Sequence, residues 1–126
     1  MGTTSLLMSS TLSKKEKKLD HLEREFHKAR LKLDEKRCLV ERKQQLFTRM
    51  LEEEYAMAAS FLQKQEVDSS CEWESLHRCI EEYDLEARDA AQVAIKQIDT
   101  EEENLWQSYR KERCQLEEEI AQNKVS

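Results

Sequence analysis

The residues best suited to chemistry in this 126-residue chain are four cysteines and three histidines, Cys38, Cys71, Cys79, Cys114, His21, His27 and His77. Cysteine and histidine at short spacing are the usual ligands of zinc, and His77 lies between Cys71 and Cys79. On a helix rising 1.5 Å per residue, however, Cys71 and Cys79 stand about 12 Å apart, too far for a disulfide or a shared tetrahedral ion. The glutamate triplets Glu52-Glu53-Glu54, Glu101-Glu102-Glu103 and Glu117-Glu118-Glu119 read as acidic helix faces, not as paired acid and base groups. No glycine-rich phosphate loop and no nucleophile beside a positioning base is recognisable. These residues predict no enzyme, no metal site and no cofactor.

The elements that must carry these side chains are long helices. The chain has no proline, and its one glycine is Gly2, so neither strong helix breaker interrupts it. Charged residues make up 38% and aromatics 6%, which suits long exposed helices or a disordered chain better than a globular core. Regular apolar spacing favours the helices. From Leu12 a seven-residue period runs through Leu19, Phe26, Leu33, Val40 and Phe47, misses at Glu54 and returns at Phe61. Leu22, Ala29, Met50 and Met57 fill companion positions, giving a coiled-coil type of seam. A second stripe, from Trp73 and Leu76 through Ala87, Ile98 and Tyr109 to Ile120, has a mean spacing near 3.6 and belongs to a straighter helix.

Between the stripes lies Gln65-Glu66-Val67-Asp68-Ser69-Ser70, whose short oxygen-bearing side chains compete for backbone N–H groups. Ser69 with Glu72 reads as a capping box, and Ser13 with Glu16 as another. The expected fold is all-α: one antiparallel two-helix hairpin over residues 1–126, with helix 1 at about 13–65, a turn at 66–69 and helix 2 at about 70–123. A break near Asp99-Thr100, giving three helices, is the alternative. Antiparallel pairing sets Phe26 near Tyr109 and Phe61 near Trp73 and Leu76. It also packs Phe47 on the small Ala87-Ala90-Ala91 patch.

Charge is divided along the chain. Residues 1–51 carry 13 Lys/Arg against 7 Asp/Glu, a balance of +6, and residues 52–126 carry 8 against 20, a balance of -12. Folding lays a basic helix on an acidic one, and the acidic total of -6 argues against nucleic acid as a partner. No apolar run approaches the 18 residues or so that span a membrane. The segment Thr3 to Leu12 lacks the charged start and long apolar run of a Sec signal and reads as a frayed tail. The expected location is the cytosol, with any export by a route other than Sec.

A two-helix hairpin has no third layer to cover apolar residues outside its seam. Leu31, Leu39 and Leu46 on helix 1, with Ile95 and Trp106 on helix 2, are apolar and fall at the edge of the seam or beyond it, so they are the expected partner-binding residues. A homodimer would cover them as well as a foreign helix would.

The layout resembles the helical-hairpin proteins of Gram-positive type VII secretion, and most closely the small α-helical partners encoded beside LXG toxins. The resemblance is carried by Lys32-Leu33-Asp34-Glu35-Lys36-Arg37, by Leu46-Phe47-Thr48-Arg49-Met50-Leu51-Glu52-Glu53-Glu54-Tyr55 and by Phe61-Leu62. It implies a chaperone-like partner of the toxin's N-terminal helical domain. Secreted members of the wider class carry Trp-X-Gly in the turn, where this chain has Trp73-Glu74-Ser75. They also carry an aromatic four residues before an acid, where this chain has Tyr109 before Arg113. The resemblance therefore implies a second small helical partner that supplies the export signal. A structural coiled-coil hairpin, such as the stalk component of a type III secretion ATPase, is the other reading of the same pattern.

Overall fold

The computed structural model describes the backbone of residues 2–65 and 67–125 and the side chains of residues 11–65 and 67–124. Two long helices, α1 (Gly2–Gln63) and α2 (Ser70–Val125), pack against each other as an all-α hairpin. Helix α1 begins eleven residues before the expected start at 13. With no proline and no glycine beyond Gly2, nothing stops the backbone ladder, so Ser13 sits inside a helix instead of opening one. Helix α2 is continuous through Asp99-Thr100, which excludes the three-helix alternative. Thr100 is a tolerable interior residue when no glycine or proline accompanies it.

Helix α1 ends on tighter bonds of the i→i−3 kind, from the N–H groups of Lys64 and Gln65 to the carbonyls of Phe61 and Leu62, at 3.3 and 3.2 Å. Glu66, the first residue of the expected turn 66–69, lies outside the described residues. The cap of α2 differs from the expected pairing of Ser69 with Glu72. The Asp68 carboxylate accepts from the Ser70 N–H at 3.1 Å and from the Ser70 hydroxyl at 2.5 Å. The Ser69 carbonyl accepts the first helical bond, from Trp73 N–H at 3.0 Å. An aspartate side chain reaches two residues ahead more readily than a serine does, so Asp68 takes the first orphan donor. The Ser70 hydroxyl and then the Ser70 N–H hold the Asp68 carboxyl below the ordinary aspartate range.

By its internal contacts the chain divides into two compact units, 1–35 with 99–126, and 36–98. In the first, Phe26, Leu33 and Tyr109 are buried; in the second, Leu51, Leu62 and Ile98. Among the described residues no polar side chain is buried.

The second unit corrects the expected seam of α1. From Leu33 onward the sheltered positions run through Arg37, Val40, Gln44, Phe47, Leu51, Tyr55, Ala58 with its neighbour Ala59, and Leu62. These advance in steps averaging about 3.6 residues, as a straight helix requires, and not 3.5 as a supercoiled one would. A strict heptad drifts about 20° every seven residues on such a helix, so the expected Met50, Glu54, Met57 and Phe61 rotate out of the seam. Leu51 is 7% exposed and Met50 47%, while Leu62 is 9% exposed and Phe61 65%.

Two outcomes follow. Leu51→Ala should lower unfolding free energy by about 2–3 kcal/mol and Met50→Ala by less than about 1, read by urea titration of the helical circular dichroism. Equal losses would reject the phase of the seam. In an NMR titration, the Asp68 carboxyl should have its midpoint below that of an aspartate in an unstructured peptide. Because the folded form holds the proton less tightly, its capping contribution is complete above the unfolded midpoint and is lost as pH falls through the folded one. Asp68→Ala should accordingly speed amide exchange in the first turn of α2 at neutral pH.

Candidate partner-binding surface

In the first unit, Phe26 of α1 lies flat on Tyr109 of α2, with ring centroids 4.1 Å apart and planes within 10°. Trp106 meets Phe26 edge-on at 4.6 Å. The Arg30 and Arg110 guanidinium groups each stand 5.2 Å from the Trp106 ring centroid. Cations over the indole and an edge-to-face contact with Phe26 are both arrangements that the ring quadrupole favours. Arg113 donates to Glu117 at 2.8 Å and to the Tyr109 hydroxyl at 3.2 Å. It also faces Glu23 across the pair at 4.0 Å. The Glu117 bond, then the Tyr109 oxygen, raises the Arg113 pKa further above its ordinary value. Lys15 meets Glu119 at 3.8 Å. Screened by solvent, these pairs add little to stability and chiefly fix which residues face one another.

Trp106 is therefore not an uncovered residue, contrary to the sequence expectation. It is half-buried and belongs to the aromatic cluster. The reason is size: an indole at the seam edge is long enough to reach Phe26 on the other helix. Ile95 is likewise half-buried. Leu31 is exposed, but it falls in the first unit and about 80° around α1 from Leu39, so it joins no row with Leu39 and Leu46.

In the second unit the structure does assemble a row. Leu39, Leu46, Met50, Met57 and Phe61 are all large, apolar and exposed. Leu39, Met50 and Phe61 are eleven residues apart, as are Leu46 and Met57. Eleven residues make close to three full turns, so all five fall within about 60° of arc along about 33 Å of α1. Sequence reasoning missed Met50, Met57 and Phe61 by assigning them to the seam; the eleven-residue recurrence was the available signal.

Of two grooves between α1 and α2 within the unit, Phe61 of the stripe lines one and Lys43, at the stripe's edge, lines the other. The larger, about 630 Å³, is lined by Val40, Lys43 and Phe47 from α1 and by Tyr83, Ala87, Ala90 and Ala94 from α2. The expected large-against-small fit of Phe47 on the alanine patch is thus incomplete: methyl groups are too short to fill the space that one phenyl ring opens. The second groove, about 570 Å³, runs from Ala58, Phe61 and Leu62 to Leu76 and Cys79. Here Phe61, 65% exposed, lines the groove together with Leu76 instead of entering the seam.

The four cysteines are exposed and unbridged, and among the described residues no three His, Cys, Asp or Glu side chains cluster closely enough to hold a metal. His77 stacks on Trp73 at a centroid distance of 6.2 Å and meets Tyr55 at a tilt of 44° and 5.5 Å. No described helix is long and apolar enough to cross a membrane. No protein-family model, curated protein or solved structure matches the chain.

Phe26→Ala should destabilise the hairpin by about 3 kcal/mol and shift Trp106 fluorescence to longer wavelength in a Trp73→Phe background. An unshifted emission would mean that Trp106 does not rest on Phe26.

Proposed function

We propose that this chain is a non-catalytic docking protein whose exposed α1 stripe receives a helix of another protein. The observation that carries the reading is the alignment of Leu39, Leu46, Met50, Met57 and Phe61, exposed along one line beside two apolar grooves. A helix laid on that line would insert side chains at i, i+4 and i+7 spacing, the geometry of helix-in-groove recognition. A row of this length exceeds the scattered exposed leucines of ordinary surfaces.

For the partner we propose the N-terminal helical domain of a secreted LXG-type toxin of Gram-positive type VII secretion. The support is the resemblance carried by residues 46–55 and by Phe61-Leu62, because Leu46, Met50 and Phe61 of those segments lie on the stripe. In this reading the protein shields the toxin's apolar helix in the cytosol and accompanies it to a non-Sec export route. A second small helical protein brings the export signal, since Arg113 stands where an acid would be required and Tyr109 is buried against Phe26.

Leu39→Glu with Leu46→Glu should leave circular dichroism nearly unchanged, because both residues are exposed. The same pair should weaken co-purification with the toxin's N-terminal fragment by at least about a hundredfold, since each buried unpaired carboxylate costs several kcal/mol. Leu33→Glu is the control and should unfold the hairpin, because Leu33 is buried. Normal toxin binding by the double variant would rule this surface out.

A further inference from the structure

We infer that, in the free protein, the α1 stripe is covered by the same stripe of a second copy running antiparallel, with Met50 on the two-fold axis. The inference concerns the regulation of the docking face and rests on the reading of that face as an interface.

The spacing of the stripe argues for it. Counted from Met50, Leu39 and Leu46 lie eleven and four residues before it, and Met57 and Phe61 seven and eleven after it. Reversing the second copy sets Leu39 opposite Phe61, and fills the remaining positions alternately from the two chains. Where one copy has Lys43 the other offers Met57, and where one has Glu54 the other offers Leu46. The combined seam then carries an apolar side chain every three or four residues, the interval that helix pairing needs. In a parallel, in-register pair the gaps would coincide instead, with Lys43 on Lys43 and Glu54 on Glu54.

Charge points the same way. Lys43 and Glu54 lie on one edge of the stripe, and Arg49 and Glu53 on the other. Antiparallel pairing brings Lys43 within three residues, about 4.5 Å along the axis, of Glu54 in the second copy, and symmetry makes that contact twice. On the opposite edge Arg49 comes within two residues, about 3 Å along the axis, of Glu53. Parallel pairing would set like charges together on both edges. Complementary edges of this kind fix orientation and exclude the wrong partner.

Size sets the strength. A strip about 33 Å long and about 11 Å wide covers roughly 700 Å² over both copies, below the ~1,200 Å² of a stable specific interface. The pair is therefore concentration-dependent and open to displacement by a foreign helix that also enters the adjoining grooves.

Sedimentation equilibrium of the full chain alone, from about 5 to 500 μM, should give a monomer–dimer equilibrium with Kd on the order of 10–100 μM. Lys43→Glu should raise that Kd about tenfold, and adding Glu54→Lys should restore it. In a background with all four cysteines changed to serine, Met50→Cys should oxidise to a covalent dimer. Leu39→Cys should not link to itself, but should link to Phe61→Cys when the two proteins are mixed. A monomer at every concentration, or Leu39→Cys linking to itself as readily as Met50→Cys, would overturn the inference. No toxin is present in these measurements, so their failure leaves the docking reading standing. A dimer that forms normally while toxin binding is absent would instead count against the docking reading alone.

Discussion

Each residue of an α-helix turns the next by about 100°, so a side chain seven positions on lags its predecessor by about 20°. Everything distinctive in this hairpin depends on that mismatch. In the second unit the sheltered residues of α1 recur at about 3.6, and α1 carries a repeat of seven that slides off that line. The buried positions therefore move from Leu33 to Leu51 and Leu62, while Met50, Met57 and Phe61 emerge on the flank. A seam that followed the repeat of seven would have kept them inside. The phase of burial turns part of a would-be core into surface.

A two-helix layer then limits what burial can achieve. Only six described side chains are buried, and none of the described side chains is enclosed completely. The first unit strengthens its seam with aromatic contact, stacking Phe26 on Tyr109 and closing the edge with Trp106 under two arginines. The second unit has ring contacts of its own near the turn, among Tyr55, Trp73 and His77, but opposite Phe47 it has small residues. Ala87, Ala90, Ala91 and Ala94 leave a groove beside Phe47, and apolar surface stays open along the neighbouring flank. Rigid ring packing favours a self-sufficient contact, whereas an alanine-lined groove beside exposed methionines favours an added helix. Methionine suits such a role because its unbranched chain adapts to differing partners.

Electrostatics acts on choice more than on strength. Two ion pairs across the helices, Lys15 with Glu119 and Arg113 with Glu23, are long, and Lys15 alone of the four is partly sheltered. They follow the division of a basic first half from an acidic second half, and they favour the antiparallel arrangement over others. The alternation of Lys43, Arg49, Glu53 and Glu54 along the stripe has the same character at a smaller scale: it discriminates among ways of pairing the same apolar row.

The absence of proline and of any glycine after Gly2 determined two long helices, and Asp68-Ser69-Ser70 determined where they part. Those are local properties, legible residue by residue. The pairing of Phe26 with Tyr109 was also legible, because antiparallel folding at a known turn leaves little freedom of register. What only the tertiary structure decided was the rotation of α1 about its axis. Period alone cannot distinguish a supercoiled helix, which keeps Met50 and Phe61 inside, from a straight one, which buries Leu51 and Leu62. Trp106 was misjudged for a related reason: Cβ direction is written in the sequence, but the reach of a large ring to a neighbour across the seam depends on where that neighbour stands. The exposed stripe was half visible, in Leu39 and Leu46, and its other half, Met50, Met57 and Phe61, was placed at the surface by the phase of the seam.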